Sequence, residues 1–156
     1  MRVFRGVLMI ILREVDQYNF NDCIDLKRES NLFVGNAEYV LANAYIYRND
    51  STAYAIYDDQ TVVGLVIIRD RPEQGSAYSF TELFIADDYQ RKGLGQAAVE
   101  MIMHKFRKDK HSAVAEIQVH CTNGPAIKIY ERCGFSEIRR AEWNNDFIVM
   151  QVRMVT

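Results

Sequence analysis

The chain has 156 residues, which suits one domain (residues 1–156) with a core large enough to border a small-molecule cleft. Apolar residues make up 49% and charged residues 26%, so the composition is that of an ordinary globular protein and argues against disorder. The formal net charge of −2, with basic residues scattered among acidic ones, gives no indication of nucleic-acid binding.

The cysteines and the apolar runs indicate the redox environment of the protein and whether it contacts a membrane. Cys23, Cys121 and Cys133 are widely spaced and form no CxxC pair or His–Cys cluster, so we expect reduced thiols and no metal site. The apolar run at 7–12 is shorter than a signal-peptide core, and no other stretch approaches membrane-spanning length. We therefore expect a cytoplasmic protein without a membrane partner, in which residues 1–8 are a possible N-terminal extension.

The first half of the chain predicts strands and two helices. Segments of strand-like apolar pattern lie at 9–15, 53–57, 61–69 and 77–85. Segments with apolar residues at helical spacing lie at 19–28 and 36–47. The second and third strands are separated only by a short polar turn, which predicts a hairpin.

The second half continues the alternation of strands and helices. Helices are predicted at 93–108 and 125–133, and strands at 114–120, 135–141 and 147–155. Pro125 in a first turn and Gly134 just past the end are typical of helix boundaries. Hairpins are antiparallel and a strand–helix–strand crossover is parallel, so we predict an α/β domain with a mixed, mostly antiparallel sheet of about seven strands and about four helices.

A short loop between a predicted strand and the long helix could hold a phosphate. It consists of Gln90, Arg91, Lys92, Gly93, Leu94 and Gly95. Glycines let the backbone approach a phosphate, and the first helical turn, which includes Gln96, offers N–H donors and the positive end of the helix dipole. The spacing fits neither a Walker loop nor a dinucleotide fingerprint. On these residues alone, a pyrophosphate site and a glycine-bearing turn with solvated basic residues are equally good interpretations.

Two motifs resemble the GNAT superfamily of acetyltransferases. The family pattern Q/R-x-x-G-x-G/A after a strand is satisfied by the loop 90–95. A second family pattern, Asn-x-x-Ala-x-x-x-Tyr-x-x-x-Gly-Phe, is matched at Asn123, Ala126, Tyr130, Gly134 and Phe135. Both lie within 81–136, in the family's order and on the appropriate predicted elements. A weaker resemblance to bacterial spermine/spermidine (diamine) acetyltransferases lies in short apolar strings at 12–15, 53–57 and 63–64.

The resemblance implies a GNAT-like domain whose sheet is splayed between the fourth and fifth strands. It implies acetyl-CoA as co-substrate, with no metal, and direct transfer to a small-molecule primary amine in a ternary complex. The cofactor contacts it implies come from the loop 90–96, from Asn123, Ala126 and Tyr130, and from the backbone of Leu83, Phe84 and Ile85. A polyamine is the leading acceptor. A protein N-terminal amine, an aminoglycoside and a non-catalytic acyl-CoA sensor are alternatives, and a homodimer is expected by analogy.

The chemistry of the reaction selects two catalytic candidates. An alkylamine has a pKa near 10, so a base or a water chain must remove a proton before attack. The resemblance places Tyr130 at the sulfur as the proton donor. Glu82 is the candidate base, and strand alternation predicts that Phe80, Glu82 and Phe84 share one face. Some relatives carry their acid one residue earlier, where this chain has Thr81, so an ordered water is an equal contender for the base.

Other conspicuous side chains have simpler expected roles. We expect His120 and Cys121 to pack at the end of their strand, because neither has an evident triad partner. The aromatic residues of the second helix, Tyr39, Tyr45 and Tyr47, fit a wall of the acceptor site in relatives, but core packing is the default. Trp143, at a predicted hairpin tip, is compatible with a lid, an interface or simple packing.

Overall fold

The predicted order of elements is confirmed in a computed structural model, which describes residues 9–29 and 33–154. The strands are β1 (Ile10–Glu14), β2 (Thr52–Asp58), β3 (Thr61–Arg69), β4 (Ser79–Ile85), β5 (Val114–His120), β6 (Ser136–Arg140) and β7 (Phe147–Arg153). The helices are α1 (Phe20–Ile24), α2 (Ala37–Ile46), α3 (Leu94–Asp109) and α4 (Gly124–Arg132), with a 3-10 turn at Asp87–Tyr89. The predicted extension at 1–8 and residue 155 of the last predicted strand lie outside the described residues.

Most helix boundaries follow local signals. Asn36 caps α2 by accepting a hydrogen bond from the N–H of Tyr39, and Asn123 caps α4 by accepting one from the N–H of Ala126. Gly134, with φ of 97°, follows α4 in the left-handed region, so the predicted stop is confirmed. These boundaries were predictable because capping residues act within one turn of the helix they begin or end.

The first helix is an exception, because it is much shorter than the predicted range 19–28. It ends at Ile24, and the chain beyond it bonds to a distant part of the fold instead of continuing the helix. The carbonyl of Lys27 accepts a hydrogen bond from the N–H of Asp87 at 2.9 Å, and the N–H of Glu29 donates to the Asp87 carboxylate at 2.7 Å. Backbone groups satisfied in this way have no need of a helical partner.

The seven described strands confirm the predicted mostly antiparallel arrangement, splayed between the fourth and fifth strands: two antiparallel sheets meet at one parallel bridge. Their orders are β1-β2-β3-β4 and β5-β7-β6. The predicted parallel relation of β4 and β5 is confirmed, but the pairing of the two sheets within the described residues is a single bridge between Tyr78 and Ala115. There the N–H of Tyr78 donates to the carbonyl of Val114 at 2.9 Å, and the N–H of Glu116 donates to the carbonyl of Tyr78 at 2.8 Å. Beyond the bridge the two strands diverge, which leaves a gap between their C-terminal ends.

Strand β4 contains a β-bulge that the sequence pattern did not indicate. Leu65 pairs with Phe84 and Ile67 pairs with Thr81, so two residues of β4 lie opposite one residue of β3. Within the bulge Glu82 has φ of 55°, a left-handed conformation that is unusual for a residue other than glycine. On β3, Gly64 faces this region, and a Cβ there would collide with the carbonyl oxygen of Phe84.

The bulge makes the predicted alternation along β4 wrong. Phe80 belongs to the larger core cluster, which includes α3 residues such as Phe106. Phe84 belongs to the smaller cluster on the opposite face, with α2 residues such as Val40. The extra residue reverses the side-chain order of every position after it, so Phe80 and Phe84 do not share a face.

Candidate active site

The gap between β4 and β5 exposes backbone groups that a simple strand pair would use. The N–H of Ala86 donates to the carbonyl of Val63 on β3 at 2.8 Å, so Ala86 directs its backbone towards β3. Because directions alternate along an antiparallel ladder, Ile85 directs its backbone away from β3 and into the gap. Leu83 lies in the bulge, and its side chain packs with that of Ile85 against the larger core cluster, so we infer the same backbone direction for it. Phe84, the third predicted backbone contact, is placed differently from Leu83 and Ile85. Its backbone faces β3, and its ring packs in the smaller core cluster.

The loop before α3 has the backbone shape of an anion site. Arg91 and Gly93 both have left-handed conformations, with φ of 63° and 78°. Gly93 is the N-cap of α3 and supplies no side-chain cap, and the first turn of the helix contains no acidic residue. The N–H groups of Leu94, Gly95 and Gln96 therefore keep their hydrogen-bonding capacity at the positive end of a 16-residue helix. Consecutive N–H groups in such a turn form a concavity suited to phosphate oxygens.

The remaining loop residues have individual roles in shaping this turn. The side-chain amide of Gln90 donates to the carbonyl of Ile85 at 2.9 Å, so it braces the loop against the end of β4. The ammonium of Lys92 lies 5.8 Å from the ring centre of Tyr89. A Cβ on Gly95 would lie 3.4 Å from the Cδ1 of Ile129, which is an ordinary contact, so the packing of α3 against α4 does not require a glycine there.

Tyr130 on α4 reaches the same region from the side of the larger core cluster. Its ring stands edge-on to Phe80 of β4 at 5.8 Å and to Phe135 at 6.1 Å. Its hydroxyl has no hydrogen-bond partner among the residues that the structure describes. Burial, followed by the nearby Cys133, raises the pKa of Tyr130 to about 12, which keeps the phenol protonated at neutral pH. The predicted contacts Asn123 and Ala126 lie on the first turn of the same helix.

A cavity of about 670 Å³ opens on the opposite face of the two sheets. Its walls come from α2, β3, β4, β5 and the β6–β7 turn, and include Asn43, Tyr47, Ser51, Arg69, Ser79, Phe80, Thr81, Glu116, Gln118 and Trp143. Phe80 links the two sides, since it lines the cavity and also contacts Tyr130. The arrangement therefore places a cavity on one face and a phosphate-binding loop on the other, with the gap between them.

The charged residues of the cavity wall are already paired. Arg69 forms a salt bridge with Asp50 at 3.2 Å. Glu116 forms one with Arg139 at 3.0 Å, and its other oxygen accepts a hydrogen bond from Gln151 at 3.1 Å. The remaining polar lining consists of hydroxyl and amide groups, so the cavity offers neutral polar contacts rather than a free carboxylate.

Glu82 lies at the edge of this arrangement and does not line the cavity. Its Oε2 accepts a hydrogen bond from the N–H of Gly35, in the segment between α1 and α2, at 3.1 Å. Thr81, where some relatives carry an acid, does line the cavity. The structure thus brings the loop, Tyr130 and the gap together, and places Glu82 beside them with one carboxylate oxygen engaged.

The tyrosines of the second predicted helix are not core residues, so that default expectation is wrong. The exposed fractions of Tyr39, Tyr45 and Tyr47 are 53%, 63% and 55%, and Tyr47 lines the cavity. Trp143 also lines it, and its indole N–H donates to the side-chain oxygen of Gln118 at 2.6 Å. Sequence reasoning missed Gln118, although its place on the strand before the Asn123 motif was a usable signal.

The two candidates at the end of β5 differ from each other. His120 packs between the rings of Phe33 and Phe147, at 5.5 and 5.2 Å, as predicted. Its Nδ1 accepts a hydrogen bond from the N–H of Thr122 at 3.2 Å, which leaves the proton of the neutral ring on Nε2 and disfavours a role as base. Cys121 is exposed, so the packing predicted for it is wrong.

Known proteins resemble this chain both in sequence and in fold. The family model described as Acetyltransferase (GNAT) family matches residues 20–135. The ribosomal protein bS18-alanine N-acetyltransferase of Escherichia coli is 42% identical over 55 residues, which cover 34% of this chain and 36% of that protein. An N-alpha-acetyltransferase of Saccharolobus solfataricus is 23% identical over 90 residues, covering 52% of this chain and 54% of that protein. The matches thus span only part of the length of these relatives.

Solved structures share the fold over nearly the whole chain. The ribosomal-protein-S18-alanine N-acetyltransferase from Escherichia coli superposes with a TM-score of 0.71 at 18% identity, covering 95% of this chain and 96% of that one. Spermidine N-acetyltransferase from Vibrio cholerae, in complex with CoA and spermine, gives a TM-score of 0.72 at 18% identity, covering 93% and 95%. Within the described residues, no helix is long and apolar enough to cross a membrane. The family model covers most of the chain, and its two motifs lie on the loop before α3 and on α4; the chain belongs to the GNAT family of acetyltransferases.

Proposed function

We propose that this protein is an acetyl-CoA-dependent N-acetyltransferase that acts on a primary amine. The observation that carries the proposal is the gap between β4 and β5, with the loop 90–96 at one side and Tyr130 beside it. No other part of the described chain places an anion-binding turn beside a gap between two strands. Family membership supports the same reaction.

The residues at the gap fit acetyl-CoA. The left-handed turn at Arg91 and Gly93, with the uncapped start of α3, suits a pyrophosphate. The outward backbone groups of Leu83 and Ile85 suit an extended amide-bearing arm, in the manner of an added strand. Bound there, acetyl-CoA supplies an activated thioester whose acetyl group an amine can accept.

The chain itself contributes hydrogen-bond donors and a proton. One of the outward N–H groups of β4 would stabilise negative charge on a carbonyl oxygen held in the gap, while the other would bind the arm, because N–H groups two residues apart along a strand lie about 7 Å apart. Tyr130 would donate its phenolic proton to the departing thiolate, because a tyrosine with a pKa near 10 or above holds that proton at neutral pH. We assign proton removal from the amine to water, because Glu82 does not line the cavity in which the amine would bind.

We propose further that the acceptor is the α-amine of a peptide or protein rather than a polyamine. Among the described residues that line the cavity, no carboxylate is free to attract a polycation or to act as a strong base. At pH 7.5 roughly a third of an α-amine with pKa about 7.8 is neutral, against roughly one part in a thousand of an alkylamine with pKa about 10.4. A site that relies on water for deprotonation therefore favours the α-amine. The two relatives found by sequence, whose names are ribosomal protein bS18-alanine N-acetyltransferase and N-alpha-acetyltransferase, support the same class.

Thiol release from acetyl-CoA with matched acceptors tests both parts of the proposal. One peptide is offered with a free α-amine, and the same peptide is offered with that amine blocked and a lysine side chain free. Spermidine and an aminoglycoside complete the panel. We expect turnover only with the free α-amine, rising with pH through a midpoint near pH 8 to a plateau about one pH unit higher, as that amine loses its proton.

Two outcomes would contradict the proposal. Faster turnover of spermidine than of the free α-amine would make a polyamine the acceptor, although the reaction would still be acetyl transfer. Tight binding of acetyl-CoA without turnover of any amine would replace the enzyme by an acyl-CoA sensor on the same fold.

A further inference from the structure

The segment between α1 and α2, called here the α1–α2 segment (residues 25–36, described at 25–29 and 33–36), is tied to β4 and the turn after it. Lys27 accepts a backbone hydrogen bond from Asp87 at 2.9 Å, and Glu29 donates one to the Asp87 carboxylate at 2.7 Å. Further along, the N–H of Gly35 donates to the Oε2 of Glu82 at 3.1 Å. Each contact joins this segment to the first sheet at the side of the gap.

The same segment also reaches the second sheet. The ring of Phe33 lies 5.5 Å from the ring of His120, at the end of β5. Arg28 stabilises the segment internally, because its guanidinium donates to the carbonyl of Gly35 at 3.0 Å and lies 4.6 Å from the ring centre of Phe84. The described parts of the α1–α2 segment therefore contact the C-terminal ends of both β4 and β5.

Glu82 connects this segment to the strained part of β4. Its φ of 55° is costly for a residue with a Cβ, and such strain persists only where surrounding contacts hold it. The hydrogen bond from Gly35 is such a contact. The next residue, Leu83, is one of the two whose backbone faces the gap, so the conformation at Glu82 also sets the direction of that N–H.

We propose that Glu82 is a positioning residue, whose side-chain oxygen holds the α1–α2 segment against the bulge of β4 and so sets the acceptor side of the gap. The proposal rests on acetyl transfer as the function of the site. It requires an oxygen acceptor at the reach of a glutamate side chain, and it does not require a negative charge. A general base at the same position would require the titratable carboxylate, so the two roles make opposite demands.

Three substitutions separate these demands. Glu82→Gln keeps an oxygen at the same reach but cannot titrate. Glu82→Asp keeps the carboxylate but is one methylene shorter, and Glu82→Ala removes both features. We expect the Gln variant to retain kcat/KM for the amine within about threefold of wild type, with an unchanged pH–rate profile. We expect the Ala and Asp variants to lose about tenfold or more, mainly through a higher KM for the amine, with the KM for acetyl-CoA within about twofold.

Hydrogen exchange at the amide of Gly35 gives a readout that does not depend on turnover. We expect faster exchange in the Ala and Asp variants and wild-type protection in the Gln variant. If Glu82→Gln is as inactive as Glu82→Ala while Gly35 stays protected, Glu82 is a base and the proposal is overturned. Unchanged exchange in Glu82→Ala also overturns it. A wild type that turns over no amine defeats the proposed function, whereas the exchange measurements still decide the hydrogen bond.

Discussion

Tyr130 shows how a single motif residue acquires its chemical character from packing. The motif places a tyrosine on α4, but the edge-on contacts with Phe80 and Phe135 decide where its ring lies. Burial raises its pKa to about 12, so it is a phenol and not a phenolate across the physiological range. An acid must hold its proton until the leaving group needs it, and this environment meets that requirement.

Replacing Tyr130 with Phe removes the proton and keeps the ring. We expect kcat to fall by about 100-fold, the lower end of the usual effect of a general acid, with the Kd for acetyl-CoA within about twofold. Single-turnover kinetics and calorimetric titration of acetyl-CoA measure the two quantities. An unchanged kcat would remove Tyr130 from the reaction, and a large loss of affinity would make it a binding residue instead.

Glu82 illustrates what sequence reasoning at the residue scale can miss. An acidic residue on a strand beside the site predicts a functional role, and the sequence therefore singles out Glu82. Its partner, Gly35, lies 47 residues away and has no motif of its own. The hydrogen bond between them was beyond prediction, because it depends on how the α1–α2 segment folds back onto β4.

At the scale of elements, the two glycines at the start of α3 differ in what the structure requires of them. Gly93 lies in the left-handed region, where a Cβ is strained, and its φ of 78° shapes the turn. Gly95 lies in the helix, and a Cβ there would make an ordinary contact with Ile129. The backbone conformation therefore favours glycine at position 93, whereas position 95 has room for a methyl group.

This difference predicts different results for two matched substitutions. Gly93→Ala is expected to lower the free energy of unfolding by about 1 kcal/mol and to weaken acetyl-CoA binding by about tenfold or more, because it distorts the turn. Gly95→Ala is expected to leave stability unchanged or slightly higher, since Ala is the better helix former. Urea denaturation and calorimetric titration measure both effects, and equal losses in the two variants would contradict the assignment.

The bulge in β4 is the element-scale feature that changed the site most. Alternation is a sound rule within a regular strand, and it predicted one shared face for Phe80 and Phe84. One extra residue reversed the faces after it, which sent the ring of Phe84 to α2 and the backbone of Leu83 into the gap. Nothing in the residues 79–85 marks the bulge, and the nearest glycine that its neighbourhood requires lies on the adjacent strand, at position 64, where a Cβ would collide with the carbonyl oxygen of Phe84.

At the scale of the whole molecule, two sheets joined at one bridge create the gap and both faces of the site. Both core clusters also bury groups that can lose a proton. Burial raises the pKa of the Cys23 thiol to about 11 and that of Tyr130 to about 12. The pKa of Tyr54 is raised by burial and then by its hydrogen bond to Asp70. In each case the folded state favours the protonated form.

These raised pKa values predict a loss of stability at alkaline pH. Each group titrates later in the folded state than in the unfolded chain, so the unfolded state loses protons first as pH rises. We expect the free energy of unfolding to be insensitive to these groups below about pH 9 and to fall as pH rises towards 12, the range bounded by the ordinary and raised pKa values of Cys23 and Tyr130. Urea denaturation at a series of pH values measures the slope.

A matched variant isolates one contribution to that slope. Because phenylalanine does not titrate, Tyr130→Phe should make the fall between pH 10 and 12 shallower than in wild type. A slope equal to that of wild type would mean that Tyr130 does not titrate differently in the folded and unfolded states.

The amino-acid sequence by itself determined the order of elements, the two motifs and the family. These features depend on periodicity, caps and spacing within short stretches, which act locally whatever the rest of the chain does. Only the tertiary structure decided the reversal of faces after the bulge, the neutral cavity and the partner of Glu82. Each of these depends on strand register or on hydrogen bonds between segments far apart in sequence, and those are set when the sheets and helices pack together.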